Sequence, residues 1–282
     1  MNYRHAFHAG NFGDVLKHIV LALVIEHLKA KETAFRVIDT HAGIGRYDLA
    51  GDEAERGDEW PDGIGRIVAA APPADVAALI APWLDVVRAE NEGGTLLTYP
   101  GSPLIARRLM RRQDRLTAIE LHPDDGAALA ALFSGDRHVT VRIADGWASL
   151  KAVLPPPERR GVVLVDPAFE VAGELPRLGE ALVRAWRRWP TGTFIGWYPV
   201  KGRAPVDALH AHLADSPIDK LVAVDLFVRD PESAGRLPGA GLVVVNPPWT
   251  LPDALDRLMP WLAETLAQGP GAGFRVRRLK AA

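Results

Sequence analysis

Four acidic residues close short apolar runs in this chain: Val37-Ile38-Asp39, Ala118-Ile119-Glu120, Ile143-Ala144-Asp145 and Val163-Leu164-Val165-Asp166. The first runs into Thr40-His41-Ala42-Gly43-Ile44-Gly45, the third into Gly146, and the fourth into Pro167-Ala168-Phe169. A glycine-rich turn after a strand lets backbone approach a ligand closely, and an acid ending the next strand can accept two ribose hydroxyls. Glu120 fits that role, and Asp145, with Gly146 behind it, can accept from an adenine amino group. Asp166 is then left for chemistry. The order reads as a nucleotide-sulfonium pocket followed by a methyl-transfer site.

These acids need a scaffold that brings them to one edge. Short β-branched runs alternating with helical stretches predict βαβ units and a mostly parallel sheet, which binds ligands beyond the carboxyl ends of its strands. In an uninterrupted unit the acid follows the glycine turn by about 20 residues. Gly45 and Glu120 lie much farther apart. Counting back about 20 residues from Glu120 reaches Pro100-Gly101-Ser102-Pro103, where Ser102 is expected to cap a helix running through Leu104, Ile105, Leu109 and Met110 to about Gln113. The stretch from about Arg46 to Tyr99 is therefore expected to be an inserted small helical subdomain, with Val76, Leu79, Ile80, Trp83, Leu84 and Val87 at helical spacing. Residues 1–45 then hold an N-terminal helix and the first strand, 46–99 the insertion, and 100–282 the rest of the core.

The alternation continues with a helix around Leu178 to Trp189, a strand at Thr193 to Tyr198, a helix at Val206 to Leu213, and strands at Lys220 to Val228 and Gly241 to Val245. No helix-length segment separates the last two strands, so they are expected to pair antiparallel. The result is an α/β, Rossmann-like sheet of seven strands with the last one reversed. Asn246-Pro247-Pro248-Trp249 also fits the Asp/Asn-Pro-Pro-aromatic signature of amino-methyltransferases. A reversed strand, however, points its carboxyl end away from the ligand edge, and Asn246 reads as part of a rigid turn.

Composition narrows the chemistry. With 48% apolar residues in 282 and a net charge of -2, the chain is expected to be globular, so any RNA-binding surface must be local. The apolar run Ile19 to Ile25 is too short to cross a bilayer and has no small-residue cleavage site after it, which points to a cytoplasmic protein. The absence of cysteine excludes disulfides, thiolate zinc sites and cysteine-bound iron-sulfur clusters. It also excludes methylation at pyrimidine C5 through a cysteine adduct and radical methylation of a purine carbon. The acceptor should be nucleophilic already, such as an exocyclic nitrogen or a hydroxyl. No long heptad or apolar stripe demands a partner, so a monomer without metal is expected.

Several strings together are specific. Tyr3-Arg4-His5-Ala6-Phe7-His8-Ala9-Gly10-Asn11, Asp14-Val15-Leu16-Lys17-His18, Asp39-Thr40-His41-Ala42-Gly43, Tyr99-Pro100-Gly101-Ser102-Pro103-Leu104-Ile105-Ala106-Arg107, Glu120-Leu121-His122-Pro123, Ala144-Asp145-Gly146, Trp197-Tyr198-Pro199-Val200 and Asn246-Pro247-Pro248-Trp249 occur in this order over nearly the whole chain. In that order they resemble the bacterial ribosomal large-subunit methyltransferase J family, adenine-N6 methyltransferases of 23S ribosomal RNA. The resemblance implies S-adenosylmethionine as donor, a Rossmann-like core with an inserted helical subdomain, and one ribosomal RNA adenine as target. It implies that Lys17, His18, His41, Gly43, Ser102, Glu120, Asp145, Gly146 and Asp166 line the donor site. Asp166 is then the catalytic acceptor, with Pro167 and Phe169 beside it, while Tyr3 and Arg4 touch the RNA.

One departure stands out. The family pattern at the catalytic strand end is Asp-Pro-Pro-Tyr, whereas this chain has Ala168 and Phe169. A carboxylate, a proline carbonyl and an aromatic face survive; a second proline and a hydroxyl are lost. Competing readings also stand beside this one. His5, His8 and His18 read either as metal ligands or as local hydrogen-bonding groups, and Lys17 and His18 as exposed residues on an amphipathic helix. Arg107, Arg108, Arg111, Arg112 and Arg115 read equally as a phosphate grip or a solvated face, and Arg184, Arg187 and Arg188 as a weaker version of the same. A nicotinamide-dependent oxidoreductase would use the same glycine turn but leave Asp166-Pro167-Ala168-Phe169 without a task. A non-catalytic RNA-binding relative, and an amino-methyltransferase acting on DNA or another RNA, complete the alternatives.

Overall fold

The structure is a computed structural model that describes residues 4–280. The chain opens with a 3-10 turn at His5–Phe7 and the helix α1 (Phe12–Lys29), which is capped by Asn11 through its Oδ1 and the Asp14 amide. Fourteen of the eighteen residues of α1 are buried, so it is a core helix and not the half-exposed one that its sequence suggested. That burial takes in Lys17 and His18, which are not solvent-exposed.

Strand β1 (Arg36–Asp39) follows, and then the segment that separates the glycine turn from the next acid. It contains β2 (Arg46–Asp48), α2 (Asp52–Gly57), a π-helical turn at Pro61–Gly65, α3 (Arg66–Ala69), α4 (Ala74–Ala89) and β3 (Thr98–Pro100). Strands β2 and β3 pair antiparallel and bring the two ends of the segment together. Its helix α4 packs on α1, and Ile64, Ile67, Ile80 and Trp83 join the core cluster of α1.

The core resumes with α5 (Ser102–Leu109), β4 (Arg115–Glu120), α6 (Pro123–Leu132), β5 (Val139–Ile143), α7 (Gly146–Val153) and β6 (Gly161–Val165). Helix α5 ends four residues before the expected Gln113, because the Asp114 carboxylate accepts from the Arg111 amide at 2.9 Å and the Phe35 amide at 3.1 Å and turns the chain into β4. Gly101, not Ser102, occupies the cap position of α5. The chain closes with α8 (Glu174–Arg188), β7 (Thr193–Val200), α9 (Arg203–Ala214), β8 (Leu221–Phe227), β9 (Gly239–Val245), α10 (Leu251–Thr265) and β10 (Gly273–Lys280).

Eight strands form one sheet, in the order β10-β8-β9-β7-β6-β1-β4-β5. Strands β5, β4, β1, β6 and β7 are parallel neighbours, and β9 lies antiparallel between β7 and β8, as the short connection between the closing strands predicts. The eighth strand, β10, was not expected: it pairs antiparallel with the outer edge of β8. Two apolar layers cover the sheet, one built on α1, α4, α5 and α10 and the other on α7, α8 and α9. Every parallel strand therefore delivers its carboxyl end to the same edge. Among the described residues no helix is long and apolar enough to cross a membrane.

Candidate active site

Two cavities meet at that edge. The first, about 400 Å³, is lined by all nine residues expected around the donor: Lys17, His18, His41, Gly43, Ser102, Glu120, Asp145, Gly146 and Asp166. Pro167 also lines it. The second, about 600 Å³, is lined by Phe169 and Trp197, whose ring centroids are 5.7 Å apart. His5, Lys17, Asp166 and Ala168 border both.

Backbone amides hold Asp39, Glu120 and Asp145. The Glu120 Oε2 accepts from the Gly43 amide and Oε1 from the His122 amide, both at 2.8 Å, so the carboxylate ties the glycine turn to its own strand end. Gly43 has a φ of +59°, and a Cβ there would lie 2.1 Å from the Tyr47 hydroxyl. Asp145 Oδ1 caps α7 by accepting from Trp147 at 2.7 Å and Ala148 at 3.2 Å, which leaves Oδ2 for a ligand. Gly146 permits this approach: a Cβ would stand 2.0 Å from the Thr40 carbonyl oxygen. The Ser102 hydroxyl donates to Asp39 Oδ2 at 2.6 Å. Its role is to hold a second buried acid, whose carboxyl burial pushes up to about 6 against that hydrogen bond. Burial likewise takes His41 down to about 4, despite the Asp166 and Asp145 carboxylates, and its ring lies edge-on to Trp147.

Helix α1 supplies the groups that join the cavities. Lys17 Nζ donates to Asp14 Oδ1 at 2.7 Å and to Asp166 Oδ2 at 2.5 Å, and its side chain is only 3% exposed. Burial opposes the ammonium, but the two carboxylates outweigh it and raise its pKa. Asp14 also accepts from the Gly10 amide and from His5, each at 2.9 Å, and His5 and Lys17 hold its carboxyl well below the usual range in spite of burial. His18 shares a 2.8 Å hydrogen bond between Nδ1 and the Tyr99 hydroxyl, and burial keeps the ring neutral. Its Nε2 has no hydrogen-bond partner among the described residues. Asp14 and Asp39 belong to the sequence strings above but have no role assigned there. The signal was available for Asp14, whose spacing to Lys17 and His18 places all three on one helical face.

The loop expected to carry the chemistry leaves β6 at Asp166. Only Oδ2 of Asp166 is engaged, by Lys17; Oδ1 makes no hydrogen bond among the described residues. Phe169 adopts a left-handed φ of +51° that turns its ring toward Trp197. The Ala168 amide makes no hydrogen bond among the described residues, so a proline there would cost no backbone hydrogen bond.

Other candidates lie elsewhere. Tyr3 falls outside the described residues. Arg4 lines neither cavity; it pairs with Glu53 at 3.0 Å and approaches Asp125 at 3.6 Å. His5 and His8 bond to Asp14 and Glu59, and among the described residues no group of three acids or histidines is placed to hold a metal ion. Asn246 sits at the opposite edge of the sheet, where its amide donates to the carbonyls of Pro190 at 2.7 Å and Gly192 at 2.8 Å.

The family model described as "Ribosomal RNA large subunit methyltransferase D, RlmJ" matches residues 32–278. The chain belongs to this family. Members named "Ribosomal RNA large subunit methyltransferase J" are similar to it throughout: the protein from Haemophilus influenzae is 42% identical over 274 residues, 96% of both chains. That from Escherichia coli K12 is 41% identical over 266 residues, 94% of both chains. The crystal structure of protein LPL1258 from Legionella pneumophila superposes with a TM-score of 0.86 at 32% identity, covering 96% of this chain and 98% of that one. The large-subunit methyltransferase fold therefore extends over the described chain, and S-adenosylmethionine is the donor such a methyltransferase core serves. The first cavity fits it in kind: a ribose-type acid in Glu120, an open carboxylate oxygen in Asp145 and an unpartnered buried nitrogen in His18.

Proposed function

We propose that this protein transfers a methyl group from S-adenosylmethionine to the N6 amino group of one adenine in 23S ribosomal RNA. The observation that carries this reading is the position of Asp166 at the seam of two cavities, with one oxygen fixed by Lys17 and the other uncommitted. Glu120 would take the donor ribose, and Asp145 Oδ2 the donor adenine. His18, His41, Gly43 and Ser102 would line the remainder. Bound there, the donor supplies an electrophilic methyl group on sulfur.

The residues of the chain do the rest. An adenine amino lone pair is delocalised into the ring, so the nitrogen is a poor nucleophile until acceptors draw both its protons out of plane. Asp166 Oδ1 and the Pro167 carbonyl would take that task, and Lys17 holds the other carboxylate oxygen. Phe169 and Trp197 offer faces for an unstacked base in the second cavity. After transfer, the nitrogen sheds its extra proton to Asp166, which passes it on to water.

Asp166→Ala is the test. It should lower methylation of a 23S RNA fragment by about 100-fold or more while calorimetry still registers donor binding. Mass spectrometry of the digested RNA should find the methyl group on adenine N6. Near-normal turnover by that variant with Asn246→Ala inactive would move the site to the other motif, and a preference for DNA would change the substrate class.

A further inference from the structure

Two arginine-rich stretches of this chain are treated differently by the fold. The run from Arg107 to Arg115 is largely consumed within the molecule: Arg107 pairs with Asp136 at 2.5 Å, Arg108 with Glu90 at 2.7 Å and Arg111 with Asp114 at 3.0 Å. Arg115 donates to the carbonyls of residues 112–114. Those of α8 are engaged more lightly: Arg188 Nη2 donates to the Lys151 carbonyl at 2.6 Å, and none of them meets a buried carboxylate. Arg177, Arg184 and Arg188 recur along one face of that helix with the small Ala181 and Ala185 between them, and Lys151 of α7 faces them. Together with Arg187 they border a groove of about 490 Å³ between the two helices.

The groove has one acid, Asp145, and its Oδ1 is engaged with the α7 amides. Arg187 and Lys151 make no ion pair or side-chain hydrogen bond among the described residues. Arg184 meets only Glu180, with both side chains about 60% exposed, an arrangement worth little in water and easily exchanged for another anion. Arg177 lies over the Trp147 ring at 4.7 Å and borders the donor cavity as well, so the groove is continuous with the active-site mouth. From Arg177 to Arg188 the helix covers about 17 Å at 1.5 Å per residue, enough for several successive phosphates of one strand. A net charge of -2 makes so concentrated a basic strip a local feature of the surface.

We propose that the α7–α8 groove holds the phosphodiester backbone of the RNA next to the target adenine. This rests on the reading of the protein as an RNA methyltransferase and extends it to where the strand runs. The strand leaves the catalytic loop where α8 begins and passes along Arg177, Arg184 and Arg188, with Lys151 and Arg187 each meeting a phosphate from the sides of the groove. These contacts read charge and not sequence.

The test uses the full chain, a labelled 23S RNA fragment and the double variant Lys151→Gln/Arg187→Gln. Each lost phosphate contact removes about 0.7 from the slope of log affinity against log salt for a single strand. The double variant should therefore show a slope shallower by about 1.4 and an RNA affinity lower by about tenfold near 0.1 M salt, with a matching fall in kcat/KM. Arg187→Lys, which keeps the charge, should restore most of that loss, and Arg257→Gln on the opposite face of the sheet should bind RNA as the wild type does. Donor affinity by calorimetry verifies the fold. If the wild type methylates the RNA and the double variant keeps its affinity and slope, the groove assignment is wrong while the enzyme reading stands. A wild type that neither binds nor methylates the RNA would overturn both.

Discussion

Asp39 shows how much a single side chain can carry at this edge. It ends β1 beneath the cavity, is 1% exposed, and shares its two oxygens between the Ser102 hydroxyl and the His41 amide at 3.3 Å. Burial raises its pKa to about 6 from the ordinary 3.8, so between those values the folded chain keeps a proton that the unfolded chain has lost. Its contribution to stability therefore falls as pH rises through that window and is constant above it. His41 runs the other way, since a lowered imidazole pKa makes the folded state gain stability as pH rises from about 4 toward 6.5. The two must be separated by substitution. Asp39→Asn cannot ionise, so its stability relative to the wild type should improve by up to about 3 kcal/mol between pH 4 and pH 8, the equivalent of some two pKa units. Urea unfolding at the two pH values measures this. A constant difference would show that folding does not raise the Asp39 carboxyl at all.

At the level of elements, the decisive link is between α1 and the end of β6. Lys17 stands between two carboxylates, Asp14 on its own helix and Asp166 on the strand end, and all three are largely withdrawn from water. Lys17→Met would leave both acids without their shared cation. Removing one member of a buried ionic set costs about 3–5 kcal/mol, and that loss should appear in chemical unfolding. Lys17→Arg should recover part of it. A cost below 1 kcal/mol would mean that water already screens the cluster. This link was only half legible in the sequence. The order of acidic strand ends, the reversed β9 and the far-edge position of Asn246 followed from short β-branched runs and connection lengths, because those are local properties. The burial of Lys17 was not legible, because the apolar face of α1 was read as one stripe while helices on one side and the sheet on the other bury it all round. The end of α5 was missed for a similar reason: the Asp114 carboxylate that turns the chain receives the amide of Phe35, far away in sequence.

For the whole molecule, the unexpected feature is the closing edge of the sheet. Strand β10 reads Gly273-Phe-Arg-Val-Arg-Arg-Leu-Lys, whose alternation breaks at the adjacent Arg277 and Arg278, next to a shift in register against β8. So many arginines on a strand look like a solvated tail. The partners of those arginines are supplied by the fold. Arg275 Nε donates to Asp225 Oδ2 at 2.9 Å and its Nη1 to Asp207 at 3.1 Å. Asp225 is 1% exposed, and its other oxygen accepts from the Tyr198 hydroxyl at 2.7 Å, which in turn contacts His210 at 2.8 Å. The edge strand thus delivers the counter-charge for a buried acid in the layer opposite α1. Arg275→Met would keep much of the aliphatic packing but strand that carboxylate, at a cost of about 3–5 kcal/mol. In a chain of this size each kcal/mol lowers the melting temperature by about 2–4 °C, so a fall of about 10 °C is expected. Arg277→Met, on the same strand but paired at the surface with Asp207, should change it by about 2 °C or less. Equal shifts from the two variants in a thermal scan would show that β10 acts only through its backbone pairing.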